Sequence, residues 1–308
     1  MLIPYFGKWP EWMPLYLYTC SRNPQIDFHY FTDCGEPEVT YPNTFFHSTS
    51  FDEYLVLVEQ VVGVRLPKIA SKLCDVKPFY GLMHSDLLAE GKYTWWGFGD
   101  IDVAYGDLTP LTRLTSRKQL ELITTHIKCV SGHFTLIRTD SSLNRIMFPL
   151  ESSLKEIIEA EPPGWVDERQ YSETVRPRGM RIIDCLWYSF GRKTGINRNR
   201  LYHTVGRLLP NGTGRQYYCE PGTTFTPYPR EKYILDLKTL RWQMGNGEFP
   251  ENILPEETLP YLHFLMFKKI SYNHTGNFWT PGFYRIPAGY QWRGDECVEF
   301  TTSHIRLK

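Results

Sequence analysis

Over its first 140 residues the chain alternates short apolar runs with amphipathic ones, and this alternation constrains the fold more than any other feature. Leu2–Phe6 is a compact apolar run stopped by Gly7, as in a strand buried on both faces. Trp12–Cys20 repeats at helical spacing, with Trp12, Leu15, Tyr16 and Thr19 on one face. Ser21–Pro24 is turn chemistry, and Ile26–Phe31 then alternates as a strand that stops at Thr32-Asp33. Phe51–Val62 is helical with Ser50 as its N-cap. Phe79–Glu90 reads as a helix ended by Gly91, and Tyr93–Phe98 as a nearly all-apolar strand. A helix is expected over Arg117–Thr125, a strand over Phe134–Arg138, and a helix from Ser141 to Ala160. Strands and helices in this order predict an α/β fold with a mostly parallel central sheet covered on both faces.

Past Glu161 the pattern loosens. Pro162-Pro163-Gly164, Arg176–Gly179 and Asn211–Arg215 are loop chemistry, with a strand expected at Tyr233–Leu237. This stretch reads as the later, loop-rich part of one domain over 1–308, divided near 140 into two halves.

Charge and composition remove several function classes. Lys and Arg total 34 against 34 Asp and Glu, so the chain lacks the basic excess that nucleic-acid binding needs. Hydrophobic residues at 42% and charged ones at 22% exclude wholesale disorder. The 7 cysteines are odd in number and include no CxxC pair, which argues for reduced thiols in a cytosolic setting over a disulfide scaffold or zinc ribbon. The amino terminus lacks the basic and apolar regions of a secretory signal. The longest apolar stretch, Tyr54–Val64, is broken by Glu59 and Gln60 and falls short of the roughly 20 residues of a membrane span. No P-loop, GxGxxG, HExxH or GxSxG occurs. Aromatic residues reach 15%, enough to fill a core and also to offer sugar-stacking surfaces.

Ligands of an open α/β sheet bind beyond the carboxyl ends of its strands. Asp33, Asp100 and Asp102 fall at such ends. In an extended Asp100-Ile101-Asp102 the two carboxylates share a side and form a hard-oxygen site suited to Mg²⁺ or Mn²⁺. The competing reading is a solvated strand end. Apolar runs on both sides favour the metal, because buried carboxylates need compensation.

This pattern resembles the GT-A class of nucleotide-sugar glycosyltransferases. More closely, the chain resembles small bacterial proteins found among capsule and lipopolysaccharide assembly enzymes. The resemblance is carried in order by Ile3–Gly7, Phe31–Asp33, Lys72–Gly81, Trp96–Val103 with Gly106–Leu108, Ser131–Leu136 and Tyr261–Phe264. It implies a GT-A-like α/β/α sandwich, with 1–140 binding the nucleotide sugar and 141–308 facing the acceptor.

It also implies roles. Asp100 and Asp102 bind the metal, with Asp100 near the ribose and His263 as third ligand; the plainer reading of His263 is a hydrogen-bonded core histidine. Lys77 neutralises phosphate and Asp75 accepts from a ribose or sugar hydroxyl, or the two belong to a loop ion pair before a helix opened by Pro78. Asp33 contacts the base or ribose, or caps a helix. Lys268, followed by Lys269, meets the diphosphate or belongs to an exposed charged face. Asp167 and Glu168 stand where an inverting enzyme carries its general base, and equally where a helix accepts acids in its first turn. Gly132-His133-Phe134 is an acceptor-side element, or its histidine is a structural one before a strand.

The implied activity is a metal-dependent transfer of a sugar from a nucleoside-diphosphate sugar, UDP-sugar favoured, to a surface polysaccharide or lipid-linked glycan. The setting is the cytoplasm, with room for peripheral attachment at the inner membrane face. Two other classes compete: a non-catalytic glycan- or nucleotide-binding protein on the same fold, and a metal-dependent phosphohydrolase. The latter normally needs more acidic or His ligands than lie near position 100.

Overall fold

The computed structural model describes residues 1–125, 129–175, 216–218, 232–244, 260–264, 282–301 and 303–308. In chain order the strands are β1 (Leu2–Pro4), β2 (Phe28–Thr32), β3 (Thr44–Ser48), β4 (Trp95–Gly99), β5 (Val103–Tyr105), β6 (Leu122–Thr124), β7 (Phe134–Arg138), β8 (Gln216–Tyr218), β9 (Tyr233–Asp236), β10 (Arg241–Met244), β11 (Tyr261–His263), β12 (Cys297–Phe300) and β13 (Ile305–Leu307). The helices are α1 (Met13–Ser21), α2 (Phe51–Val62), α3 (Tyr80–Met83), α4 (Ser85–Glu90), α5 (Thr109–Thr112), α6 (Ser152–Glu159) and α7 (Gln170–Val175). Two compact units share the chain: one holds Met1–Phe6, Thr49–Gly99 and Leu114–Cys219, the other Gly7–Ser48, Asp100–Arg113 and Glu220–Lys308.

In the first unit the strands run in the order β1-β4-β7-β6-β8. β1 pairs with β4 and β6 with β8 in parallel, while β4–β7 and β6–β7 are antiparallel. α2 owes its limits to local chemistry. Ser50 Oγ accepts from Glu53 N at 3.2 Å, Ser50 N donates to Glu53 Oε2 at 2.8 Å, and Gly63 ends the helix. Its inward face, Tyr54, Val58 and Val62, is buried in a core that includes Val76, Phe79, Trp96 and Ile137. Trp96 Nε1 donates to Asn144 Oδ1 at 2.8 Å, which satisfies a buried indole.

The second unit pairs β2 with β3 in parallel and β5 with β11 antiparallel, and carries the antiparallel sheet β10-β9-β12-β13. Much of the aromatic content lies here as core. Tyr16 meets Tyr30 at 6.2 Å and Tyr105 at 5.9 Å, and Phe28 meets Tyr105 at 5.7 Å between centroids. Burial pushes the Cys20 thiol in this cluster up to about 12. Among the described residues no helix is long and apolar enough to cross a membrane.

The expected α/β class holds. The pairings β1–β4, β2–β3 and β6–β8 are parallel, and the antiparallel ones are β4–β7 and β6–β7 together with β5–β11 and the ladders of the β10-β9-β12-β13 sheet. Several local expectations change. Arg117–Thr125 contains a strand, β6, because Leu122-Ile123-Thr124 pairs on both edges and tertiary pairing overrides helical spacing. The helix expected over Ser141–Ala160 is interrupted: a 3₁₀ turn covers Ser142–Arg145 and α6 begins only at Ser152, since Pro149 offers no N–H to continue a helix. Phe79–Glu90 divides into α3 and α4 at His84, whose buried ring is bonded to Tyr54 Oη at 3.0 Å. Pro78 lies inside a 3₁₀ segment, Ala70–Phe79, and does not open a helix.

Candidate functional site

Asp100 and Asp102 flank Ile101 in a bend between β4 and β5, outside either strand. Their convergence therefore comes from the bend and its supports, not from strand alternation. Trp12 Nε1 donates to Ile101 O at 2.9 Å. Phe264 N donates to Asp102 O at 3.0 Å. The second bond extends the β5–β11 ladder, in which His263 faces Val103. That register sets the imidazole beside the carboxylate, with His263 Nε2 at 3.5 Å from Asp102 Oδ1. α1 braces the same strand: Thr19 Oγ1 accepts from Tyr105 N at 3.2 Å, and Asn23, two residues past the helix, donates to Gly106 O at 3.0 Å and accepts from Leu108 N at 2.9 Å.

One donor atom from each of Asp100, Asp102 and His263 lies within 4.8 Å of the others. Cis ligands around an octahedral ion at about 2.1 Å sit roughly 3.0 Å apart, and trans ligands roughly 4.2 Å. The observed spacing thus closes on one ion with small side-chain movements. Asp102 and His263 are 7% and 8% exposed, and Asp100 is half-buried, so the group has a closed side and an accessible side. Two carboxylates and one imidazole are a donor set that suits a divalent cation.

A second polar cluster lies in the first unit. Lys72 and Asp75 are both 0% exposed and bonded Nζ to Oδ2 at 2.6 Å. Lys72 also donates to Ile157 O and Pro162 O, each at 3.0 Å. The Asp75 carboxylate accepts from Gly164 N at 2.9 Å and Val166 N at 3.1 Å. The pair thereby clamps 157–166 onto the 3₁₀ segment. Nearby, Lys77 Nζ donates to Gly132 O at 2.8 Å and lies 3.7 Å from Asp167 Oδ2. A Cβ on Gly132 would stand 2.6 Å from Asp167 Oδ2 and 3.2 Å from Glu168 Oε1. Glycine here lets two carboxylates and an ammonium meet. Asp167 is buried and Glu168 half-buried.

The family model described as "Family of unknown function (DUF6625)" matches residues 1–207. The chain belongs to this family. No curated protein matches it. Among solved structures, apo mouse xyloside xylosyltransferase 1 is similar at a TM-score of 0.32 and 8% sequence identity, over 70% of this chain and 83% of that chain.

Within this family member the sequence-derived residues separate into groups. Asp100, Asp102 and His263 come together. Lys77, Asp167 and Glu168 come together around Gly132. Asp75 is committed to Lys72 and to the backbone of 164–166. Asp33 Oδ1 accepts from Gly7 N at 2.7 Å and ties two loops; no helix follows it to be capped. His133 is buried. Lys268 and Lys269 lie outside the described residues. Sequence reasoning missed the parts played by Lys72, Gly132 and Trp12. Only Lys72 left a local signal, its i,i+3 spacing to Asp75.

Proposed function

We propose that this protein is a metal-dependent glycosyltransferase that moves a sugar from a nucleoside-diphosphate sugar to a glycan or lipid-linked glycan acceptor. The observation that carries the reading is the convergence of Asp100, Asp102 and His263 within 4.8 Å. The ordered resemblance of the segments around them to GT-A glycosyltransferases supports it, and the same resemblance supports a UDP-sugar donor, a bacterial surface polysaccharide as product and a cytoplasmic setting.

Asp100, Asp102 and His263 would hold Mn²⁺ or Mg²⁺, which would supply a Lewis acid for the charge of a diphosphate. Asp102 and His263 fix the closed side of the site, while the half-buried Asp100 faces the side where a ligand enters. In the first unit Asp167 and Glu168 supply carboxylates for an acceptor hydroxyl. Asp167 is buried, with Lys77 Nζ 3.7 Å from its Oδ2. Glu168 is the more accessible of the two, and the resemblance assigns one of this pair as general base.

The test is thermal unfolding with a panel of UDP-sugars, with and without Mn²⁺, followed by assay for released UDP. A ligand at about 100 times its Kd stabilises by about 2.7 kcal/mol. Stabilisation that needs both metal and sugar nucleotide, followed by slow UDP release, is expected. Full activity in Asp102→Asn with Mn²⁺ present overturns the assignment. Binding without turnover points to a non-catalytic nucleotide-binding protein instead.

A further inference from the structure

Among the described residues Trp165 is the exposed tryptophan, at 49%, and its backbone is left-handed, with φ at 51°. A bulky L-residue is strained there, although glycine stands next to it at 164. That glycine serves a different need: a Cβ on Gly164 would lie 2.3 Å from Ile157 Cγ2. Strain of this kind persists only where the surroundings impose it.

The surroundings do so here. The buried Asp75 carboxylate holds the N–H on each side of Trp165, Gly164 N at 2.9 Å and Val166 N at 3.1 Å. Trp165 O accepts from Glu168 N at 3.1 Å and Arg169 N at 2.9 Å. The indole is thus held on the exposed side of this turn. The Arg169 guanidinium lies 4.8 Å from the ring centroid. Glu168, half-buried, follows in the same turn.

An aromatic face next to one planar cation, with a half-buried carboxylate later in the same turn, matches a neutral, hydroxyl-rich ring. The ring's C–H face covers the indole, its hydroxyls donate to Glu168, and its oxygens accept from Arg169. We infer that Trp165, Glu168 and Arg169 form a platform that binds one pyranose ring of the glycan acceptor. The inference rests on the carbohydrate reading above and uses residues separate from the metal centre.

Native electrophoresis of the full chain through gels containing dextran, xylan, galactomannan or hyaluronan, with EDTA present, tests it. The wild type is expected to be retarded in at least one gel. Trp165→Gly is expected to lose that retardation, Trp165→Phe to keep part of it, and Trp165→Gly to melt no lower than wild type. Three results overturn the inference: no wild-type retardation in any gel, equal retardation of Trp165→Gly, or a lowered melting temperature in Trp165→Gly, which would assign the ring to packing. Retardation that depends on Trp165, in a protein that hydrolyses no sugar nucleotide, leaves the platform standing and removes the enzymatic reading. Hydrolysis without such retardation does the reverse.

Discussion

Asp75→Ala separates a structural carboxylate from a ligand-binding one. In the folded chain Asp75 neutralises Lys72 at 2.6 Å and accepts from the backbone of Gly164 and Val166. Truncation leaves an ammonium that is 0% exposed without its counter-charge. Losing one partner of a buried pair costs about 3–5 kcal/mol. Lys72 keeps two carbonyl acceptors, Ile157 O and Pro162 O, which argues for the low end, about 3 kcal/mol. The buried Val166 N–H loses its acceptor and adds about 1 kcal/mol, whereas the half-buried Gly164 N–H is reachable by water. The sum is about 4 kcal/mol, a thousandfold in the folding constant and roughly 8–15 °C in Tm. Urea denaturation followed by circular dichroism measures it. Lys72→Met placed on the Asp75→Ala background is expected to recover part of the loss, because no unpaired charge then stays inside. A loss under about 1 kcal/mol in Asp75→Ala, or a further loss on adding Lys72→Met, refutes the clamp reasoning.

Removing a metal ligand should act on metal binding more than on folding: Asp102→Asn and His263→Ala are each expected to weaken Mn²⁺ binding at least about tenfold, read by calorimetry, and wild-type affinity in both excludes the triad as the site. Gly132→Ala would bring a Cβ to 2.6 Å from Asp167 Oδ2. Since the obstructing atom ends a side chain, a stability loss of only about 1–2 kcal/mol is expected, with turnover falling further than stability; unchanged turnover separates Asp167 from the chemistry. Glu299 governs acid stability of the second unit: burial raises its carboxyl, but hydrogen bonds from His304, Lys232 and Arg306 outweigh that and bring it to about 2. A depressed carboxyl stabilises fully above the unfolded value near 4.3 and loses that contribution as pH falls through about 2, so roughly 3 kcal/mol should vanish between about pH 5 and 2 in wild type and not in Glu299→Gln. Urea midpoints with the same pH dependence in both proteins contradict it.

Elements whose causes lie close in sequence were legible. α2 has its capping box and glycine stop within its own ends, and its limits fall where the pattern puts them. β7 covers the expected Phe134–Arg138, and β4 falls within one residue of the expected Tyr93–Phe98 at its end. β6 was illegible as a strand because Leu122-Ile123-Thr124 acquires its strand character from β7 and β8 on its two edges. The paired acids at 100 and 102 were visible as residue types, but the bend that joins them was not.

Residue order alone determined the α/β class, the helix ends set by caps and glycines, and the presence of hard-oxygen donors between apolar runs. Tertiary structure decided the rest. The β5–β11 register brings His263 to Asp102, and the buried Lys72–Asp75 pair holds the turn that presents Trp165. Caps and periodicity act over a few residues and are written locally. Ladder register and the burial of a charge depend on partners far along the chain, so they exist only once those partners meet.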